Sequence, residues 1–375
     1  MLTHFYAHNF RCLENFELKL DKLNLLMGPN GSGKSSVLDV LRRLQSFIAG
    51  DLRVHQAFPS HERTRGSGTP VQDFQMTISL DDESLGSPLL HYHLVVEHDA
   101  DGRQCHVKKE ILTDTGSPLF EFVDGEVHLY NDQHEAGPVY PFDPTMSGLA
   151  AVHGRNDNRL LTAFKASVAK FVIVAFSPAE MESESRNEAL KPDRRMKNFV
   201  SWYRRLSQEH MGATFDLFKE LRIALPGFHS FSFKDVAEGT KALKVLFDQS
   251  DNGRKQLSFD FDELSDGQRV LIVLYTLVHG LRGENLTLFL DEPDNYVALR
   301  EIQPWLGALS DECGEGFEQA VLISHHPEII NYMGSTQGKW FSREGTGPSR
   351  VSDNAPTATE GLTLAETIAR GWEEP

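Results

Sequence analysis

The chain has 375 residues, 40% of them apolar and 24% charged, the balance of a soluble globular protein with room for two or three lobes rather than of a disordered or fibrous one. Its longest apolar run, 171–176, is far shorter than the ~20 residues of a membrane span, the first residues lack a basic stretch followed by an apolar one, and Cys12, Cys105 and Cys313 are too scattered for a disulfide framework or a cysteine zinc site. A cytoplasmic protein without membrane insertion is expected, and 37 basic against 54 acidic residues, a net charge of −17, exclude nucleic-acid binding through the whole surface while leaving room for a local basic patch.

Residues 2–27 read as two strands leading into a loop, with 23–27 a compact apolar strand. The sequence Gly28-Pro29-Asn30-Gly31-Ser32-Gly33-Lys34-Ser35 follows, and after it Val37, Leu38, Val40, Leu41, Leu44 and Phe47 recur at helical spacing. Residues 51–70, rich in Gly, Pro, Ser and Arg, read as an exposed loop. From 71 to 130, short alternating runs separated by Asp101-Gly102 and Asp124-Gly125 predict an antiparallel β lobe. A helix is expected over 155–170 and a buried strand over 171–176, stopped by Ser177-Pro178. A helix-rich lobe over 179–227 comes next, then strands at 228–234, 242–248 and 256–261. An amphipathic helix over 267–281 precedes a buried strand at 287–290, a helix at 299–309 and a core strand at 320–324. The tail reads as loop from 342 to 359, with a short helix at 362–370.

Four motifs carry chemistry. Residues 28–35 fit G-x-x-x-x-G-K-[ST] between a strand and a helix. Glycines let backbone N–H groups turn toward a phosphate chain, and the helix N-terminus faces the anion. Lys34 would then reach the β- and γ-phosphates, and the Ser35 hydroxyl would ligate Mg²⁺. An apolar strand ends in Asp291-Glu292-Pro293, which offers one carboxylate to the magnesium shell and one to polarise the attacking water. Leu264-Ser265-Asp266-Gly267-Gln268 opens an apolar helix; a helix cap and a second phosphate-facing surface are both open readings of Ser265 and Gly267. The strand 320–324 delivers His325 to its end, where doubly wound folds place ligand contacts and an imidazole can bond a γ-phosphate. His326 reads as structural.

This ordered set resembles the ABC-type ATPases, with Walker A, signature, Walker B and switch histidine in sequence. Within them it is similar to the RecF/SMC/OLD-like group, over roughly residues 1–50 and 258–345. The opening Asn9-Phe10-Arg11 matches that group's N-terminal signature. The resemblance implies an α/β P-loop NTPase fold. Its ATPase head spans 1–178 and 228–345, with the antiparallel β lobe, a helical insertion at 179–227 and a tail at 346–375. It implies a homodimer or higher homo-oligomer through an ATP sandwich that clamps on binding and opens on hydrolysis. Asn30, Gly31, Ser32, Gly33, Lys34, Ser35, Ser36 and Arg11 would hold nucleotide in one copy, with Ser265 and Gly267 of the other. Ser35 and Asp291 would hold Mg²⁺, with Glu292 as general base, Lys34 on the phosphates and His325 as γ-phosphate sensor. No glutamine stands where the family's Q-loop is expected, and 294–298 lack the Leu-His common in OLD-like ATPases. Sustained heptads for SMC arms are missing. The 50 residues after His325 are too few for the OLD nuclease domain, so a nuclease-like effector would be a separate polypeptide. DNA maintenance or anti-phage defence is the implied setting; a transporter subunit and a non-hydrolysing ATP-binding scaffold are the other classes.

Lys191, Arg194, Arg195, Lys197, Arg204 and Arg205 surround Trp202 and Tyr203. A solvated helix face ranks first for this stretch, and a DNA or partner surface second. His91 and His93 share one strand face without a third zinc ligand, and Asp99-Ala100-Asp101-Gly102 reads as a hairpin turn rather than a calcium loop.

Overall fold

The computed structural model describes residues 1–249, 256–353, 356–358 and 361–371. Parts of the expected tail, residues 354–355, 359–360 and 372–375, lie outside the described residues. The chain forms two compact units: Met1–Phe171 with Gln337–Ala355, and Val172–Thr336 with Pro356–Pro375.

The first unit holds an eight-stranded antiparallel sheet. In spatial order its strands are Phe16–Lys19, Leu2–His8, Val71–Ser79, Leu89–His98, Cys105–Asp114, Ser117–Val123, Glu126–Tyr130 and Ala136–Pro141. Strict alternation places Gln72, Phe74, Met76 and Ile78 of one strand in the interior. The β lobe is therefore wider than the expected 71–130. The N-terminal hairpin joins one side, because Leu2–His8 pairs with both Phe16–Lys19 and Val71–Ser79. At the other side stands Ala136–Pro141, whose two prolines and glycine hide it from sequence patterning. An edge strand tolerates proline because its outer N–H groups have no ladder to serve.

Leu23–Met27 is a third early strand. It runs parallel to Gly338–Ser342, in register Gly338↔Leu25 to Trp340↔Met27, and that strand pairs antiparallel with Arg350–Ser352. The expected loop at 342–359 thus contains part of a sheet. The helix Lys34–Ala49 buries the foreseen apolar stripe. Its Phe47 packs edge-on to Phe58, which stacks on Phe74 at 4.6 Å. That contact corrects the reading of 51–70 as plain exposed loop: Val54, Ala57 and Phe58 are wholly buried, on a short helix Val54–Ala57 and the turn after it.

In the second unit, Thr287–Asp291 lies between Phe171–Ala175 and Gln319–Ile323. A separate antiparallel sheet contains Phe228–Ala237, Thr240–Asp248, Gln256–Asp260 and the short Glu184–Ser185. The segment expected to be helix-rich from 179 is α-helical only over Phe199–Glu209 and Met211–Ala224. Before them, the Asp193 carboxylate accepts from the N–H groups of Arg195, Lys197 and Asn198 and fixes a turn instead. The helix Asp266–Gly280 is not amphipathic. Every residue from Val270 to Gly280 is buried, because Leu206 of the neighbouring helix comes within 2.4 Å of where a Cβ on Gly280 would stand, with other elements on its remaining sides. Phe199 stacks on Phe261 at 5.1 Å, and Tyr203 meets Phe231 edge-on at 5.1 Å.

Candidate functional site

The residues expected to form a phosphate loop, 28–35, lie in the first unit. Four buried residues drive the strand Leu23–Met27 into the sheet, and the backbone then turns through Gly28, Gly31 and Gly33 at φ of 136°, 80° and 106°. L side chains avoid these values. Gly28 also has no space for one, since a Cβ would lie 2.1 Å from the Phe341 carbonyl oxygen. Gly33 caps the helix Lys34–Ala49 without any side-chain hydrogen bond, and no acidic residue stands in the first turn. The positive end of the helix is thus left without an anionic side chain. Lys34 is buried at 5% exposure. Its Nζ donates to Gly28 O at 2.7 Å and Pro29 O at 3.0 Å and sits 3.5 Å from Ser32 Oγ. Asn30, Gly31 and Ser35 are exposed, Ser36 is half-buried and Ser32 is buried. Arg343, which sequence patterning did not single out, donates to the Gly31 carbonyl at 3.3 Å.

The Asn9-Phe10-Arg11 signature is built into the same unit as a scaffold. Asn9, at φ 59° and fully buried, donates to the carbonyls of Thr69 and Val71 and accepts from Thr64 N. Phe10 meets Phe74 edge-on. Arg11 donates through Nε to Glu62 at 2.5 Å and through Nη1 to Asp39 at 2.6 Å. These bonds raise the pKa of its guanidinium still further, against the opposing effect of burial. Burial works to raise the Glu62 carboxyl, but the Arg11 hydrogen bond and the Arg43 charge outweigh it and hold Glu62 below the usual carboxylate range. Arg11 thereby ties the turn at 60–62 to the helix Lys34–Ala49.

The second unit gathers Asp291, Glu292 and His325. Thr287–Asp291 and Gln319–Ile323 are parallel neighbours, in register from Thr287↔Gln319 to Asp291↔Ile323. Both chains therefore emerge side by side at their carboxyl ends. Glu292 N donates to Ile323 O at 2.9 Å, and Glu292 adopts φ 50°, a left-handed backbone that costs ~1–3 kcal/mol outside glycine and clusters at functional sites. Asn295 Nδ2 donates to Glu292 Oε2 at 2.7 Å. His325 is exposed at the end of the neighbouring strand. Two residues missed in the sequence stand between these strand ends. Asp294 is 8% exposed and Ser324 fully buried; burial pushes the Asp294 carboxyl up, while the Ser324 hydroxyl donates to it.

Ser265 and Gly267 open the helix Asp266–Gly280. Ser265 Oγ accepts from Gln268 N at 3.3 Å, and Gln268 Oε1 accepts from Ser265 N at 3.1 Å, a complete capping box. The helix-cap reading of Ser265 is thus present in the fold, with the side chain still exposed. A Cβ on Gly267 would lie 2.6 Å from the Tyr296 carbonyl oxygen, so the helix start packs against the turn that follows Glu292. Beyond the strand Phe171–Ala175, the Pro178 carbonyl accepts from Arg269 at 2.8 Å.

In the basic stretch, Arg195, Lys197, Arg204 and Arg205 pair with Glu180, Glu182, Glu188 and Glu209. Trp202 and Tyr203 are 3% and 2% exposed, so neither can stack on a base, and the aromatic part of the DNA-surface reading is corrected. Among the described residues, no helix is long and apolar enough to cross a membrane.

A family model described as an AAA ATPase domain matches residues 1–110. An OLD nuclease of Thermus scotoductus is 38% identical over 73 residues, covering 17% of this chain and 13% of that protein. A crystal structure of an SMC head bound to the C-terminal winged-helix domain of ScpA superposes with a TM-score of 0.51 at 12% identity, over 94% of this chain and 97% of that one. SMC heads from Thermotoga maritima and Pyrococcus furiosus, each 12% identical, give 0.46 and 0.49; they cover 94% and 99% of this chain, and 98% of their own chains in both cases. Residues 1–110 are thus similar to an AAA ATPase domain, and the local sequence likeness is to an OLD nuclease. The fold is that of an SMC head, with an antiparallel β lobe and helical insertions, and the local alignment spans only about an eighth of the curated relative's length.

Proposed function

We propose that this protein binds and hydrolyses ATP as an ABC-type head, and that two copies close head to tail on the nucleotide. The observation that carries the reading is the loop 28–35, where three positive-φ glycines, an acid-free helix N-terminus and a buried ammonium form one cradle. Backbone N–H groups and Lys34 suit a triphosphate, with Asn30, Gly31, Ser32, Gly33 and Ser36 around it. Ser35 and Asp291 would hold magnesium through oxygen atoms of the hard kind that it takes, usually one or two from protein with phosphate and water completing the shell. When bound, magnesium would supply charge neutralisation of the phosphates.

Glu292, its carboxylate held by Asn295, orients and deprotonates the attacking water; His325, on the adjoining strand end, bonds the γ-phosphate. Ser265 and Gly267 of a second copy complete the pocket, so the γ-phosphate is the differential contact that closes the pair. On this reading the head comprises 1–178 and 228–345, with 179–227 inserted. Arg11 acts on nucleotide at one remove, by holding the helix that follows the loop. The likeness to an OLD nuclease supports a setting in DNA maintenance or anti-phage defence, where the clamp gates a separately encoded effector such as a nuclease.

The test is steady-state ATP hydrolysis with Lys34→Ala as blank, together with the mass of Glu292→Gln by light scattering. Hydrolysis above the blank, with Glu292→Gln dimeric only in ATP and magnesium, is expected. A Glu292→Gln protein that stays monomeric at saturating ATP defeats the clamp.

A further inference from the structure

Glu292 and His325 follow the ends of different strands, yet their proposed roles demand a fixed spacing. Register brings the strand ends together, and Glu292 N to Ile323 O joins them once. A second, side-chain link lies directly behind. The Ser324 hydroxyl donates to the Asp294 carboxylate while its oxygen accepts from His326 N at 2.9 Å. One hydroxyl thus uses its donor and an acceptor lone pair to join the turn after Glu292 to the turn containing His325. Both side chains are more than nine-tenths buried. The second Asp294 oxygen, Oδ1, is buried without a hydrogen-bond partner. A buried acceptor left unmade costs free energy and calls for an explanation. Apolar residues at 294 and 324 would avoid that cost but would leave the two turns unlinked.

We infer that Asp294 and Ser324 are a positioning pair that sets Glu292 and His325 at a fixed separation for phosphoryl transfer. The inference rests on the proposed hydrolytic roles of those two residues. Asp294 accepts through one oxygen, Ser324 relays to the His326 amide, and Asn295, next to Asp294, holds Glu292 Oε2. Displacing a reacting group by about 1 Å can cost ~10²-fold in rate. In the proposed site loop 28–35 makes most of the nucleotide contacts, so affinity for ATP should change little.

The test is a double-mutant cycle with Asp294→Ala, Ser324→Ala and the pair, with Asp294→Asn as the conservative variant. Each single alanine variant should lower kcat roughly 10- to 100-fold and leave KM for ATP within about twofold. The double variant should be no worse than the poorer single. Asp294→Asn, which keeps an acceptor for Ser324, should recover part of the loss. Multiplying losses, a raised KM at unchanged kcat, or no loss overturns the pair. Amide exchange supplies a readout independent of hydrolysis: Asp294→Ala should accelerate exchange at His326 N, which Asp294 does not touch. Unchanged exchange there overturns the link. Wild type no faster than Lys34→Ala defeats the hydrolytic reading instead, and the exchange result then decides the link alone.

Discussion

Substituting alanine at two glycines of the loop 28–35 should have very different consequences. Gly31 has φ 80° with nothing within 4 Å of where a Cβ would stand, whereas Gly28 has φ 136° and a Cβ there would lie 2.1 Å from Phe341 O and 2.9 Å from its carbonyl carbon. Gly31→Ala bears only the left-handed backbone cost, ~1–2 kcal/mol, partly offset by ~0.4–1 kcal/mol from the stiffer unfolded chain. Gly28→Ala bears backbone strain and a collision with main chain. Relief requires roughly 1 Å of movement to reach an ordinary C···O contact of ~3.3 Å. The obstacle cannot swing aside: Phe341 is fully buried, lies 5.5 Å from the Phe16 ring, and follows residues paired with Leu25 to Met27. Strain and overpacking at ~1–3 kcal/mol each give about 3–5 kcal/mol. At ~2–4 °C per kcal/mol, melting followed by circular dichroism should fall by about 10 °C for Gly28→Ala and by about 3 °C for Gly31→Ala. Because Gly28 O also accepts from Lys34 Nζ, the first variant should lose binding of a fluorescent ATP analogue as well. Equal melting shifts for the two variants would refute the steric reasoning.

Three further outcomes are expected. Burial, followed by the Arg63 charge, lowers the His98 pKa from 6.5 to about 4, so the unfolded chain takes up a proton that the folded one refuses; stability is full above about pH 6.5 and is lost as pH falls toward 4, by up to ~3 kcal/mol, and His98→Gln should flatten that part of a urea-midpoint profile. Arg11→Met should destabilise the first unit by about 1–2 kcal/mol, since Glu62 and Asp39 each lose a charged donor that is itself partly exposed; an unchanged urea midpoint would contradict the scaffold role. Trp202→Ala should cost about 3–5 kcal/mol of stability as a core truncation and leave any residual DNA affinity of the folded fraction unchanged, measured by anisotropy.

The parts of the fold legible in the sequence are those whose causes are local. The glycine loop, the two adjacent carboxylates at a strand end and the alternation of 71–130 depend on neighbours within a few residues. The roles of Asn9 and Arg11 depend on partners more than 25 residues away: Asn9 reaches Thr64, Thr69 and Val71, and Arg11 reaches Asp39 and Glu62. The motif was visible, but its structural use was not. Asp294 and Ser324 lie 30 positions apart in the sequence, and only parallel register makes them partners. Trp202 and Tyr203 show the same limit from the other side: their spacing among cations suited a stacking platform, whereas packing against Phe199 and the strand Phe228–Ala237 buries them.

The two helix N-termini proposed to face phosphate are built differently, and the difference is testable. Lys34–Ala49 starts with a bare glycine cap and no acidic residue, whereas Asp266–Gly280 starts with a capping box and Asp266 in its first turn, bonded to Arg269. The first is arranged to draw an anion by field alone. The second has part of its amide capacity satisfied internally, so its contribution in the clamp falls on the exposed Ser265 hydroxyl and the close packing at Gly267. Ser265→Asp separates folding from clamping. Aspartate is as good an N-cap as serine, and its charge suits the helix end, so the melting temperature should stay within about 2 °C. In the proposed clamp the same carboxylate would stand where the partner copy's γ-phosphate has to arrive, and like charges across a closing interface cost several kcal/mol. ATP-dependent dimerisation of the Glu292→Gln background should therefore fall at least 100-fold in affinity, while ATP binding by each monomer is kept. Retained dimerisation at wild-type stability would mean that this helix end does not meet the nucleotide.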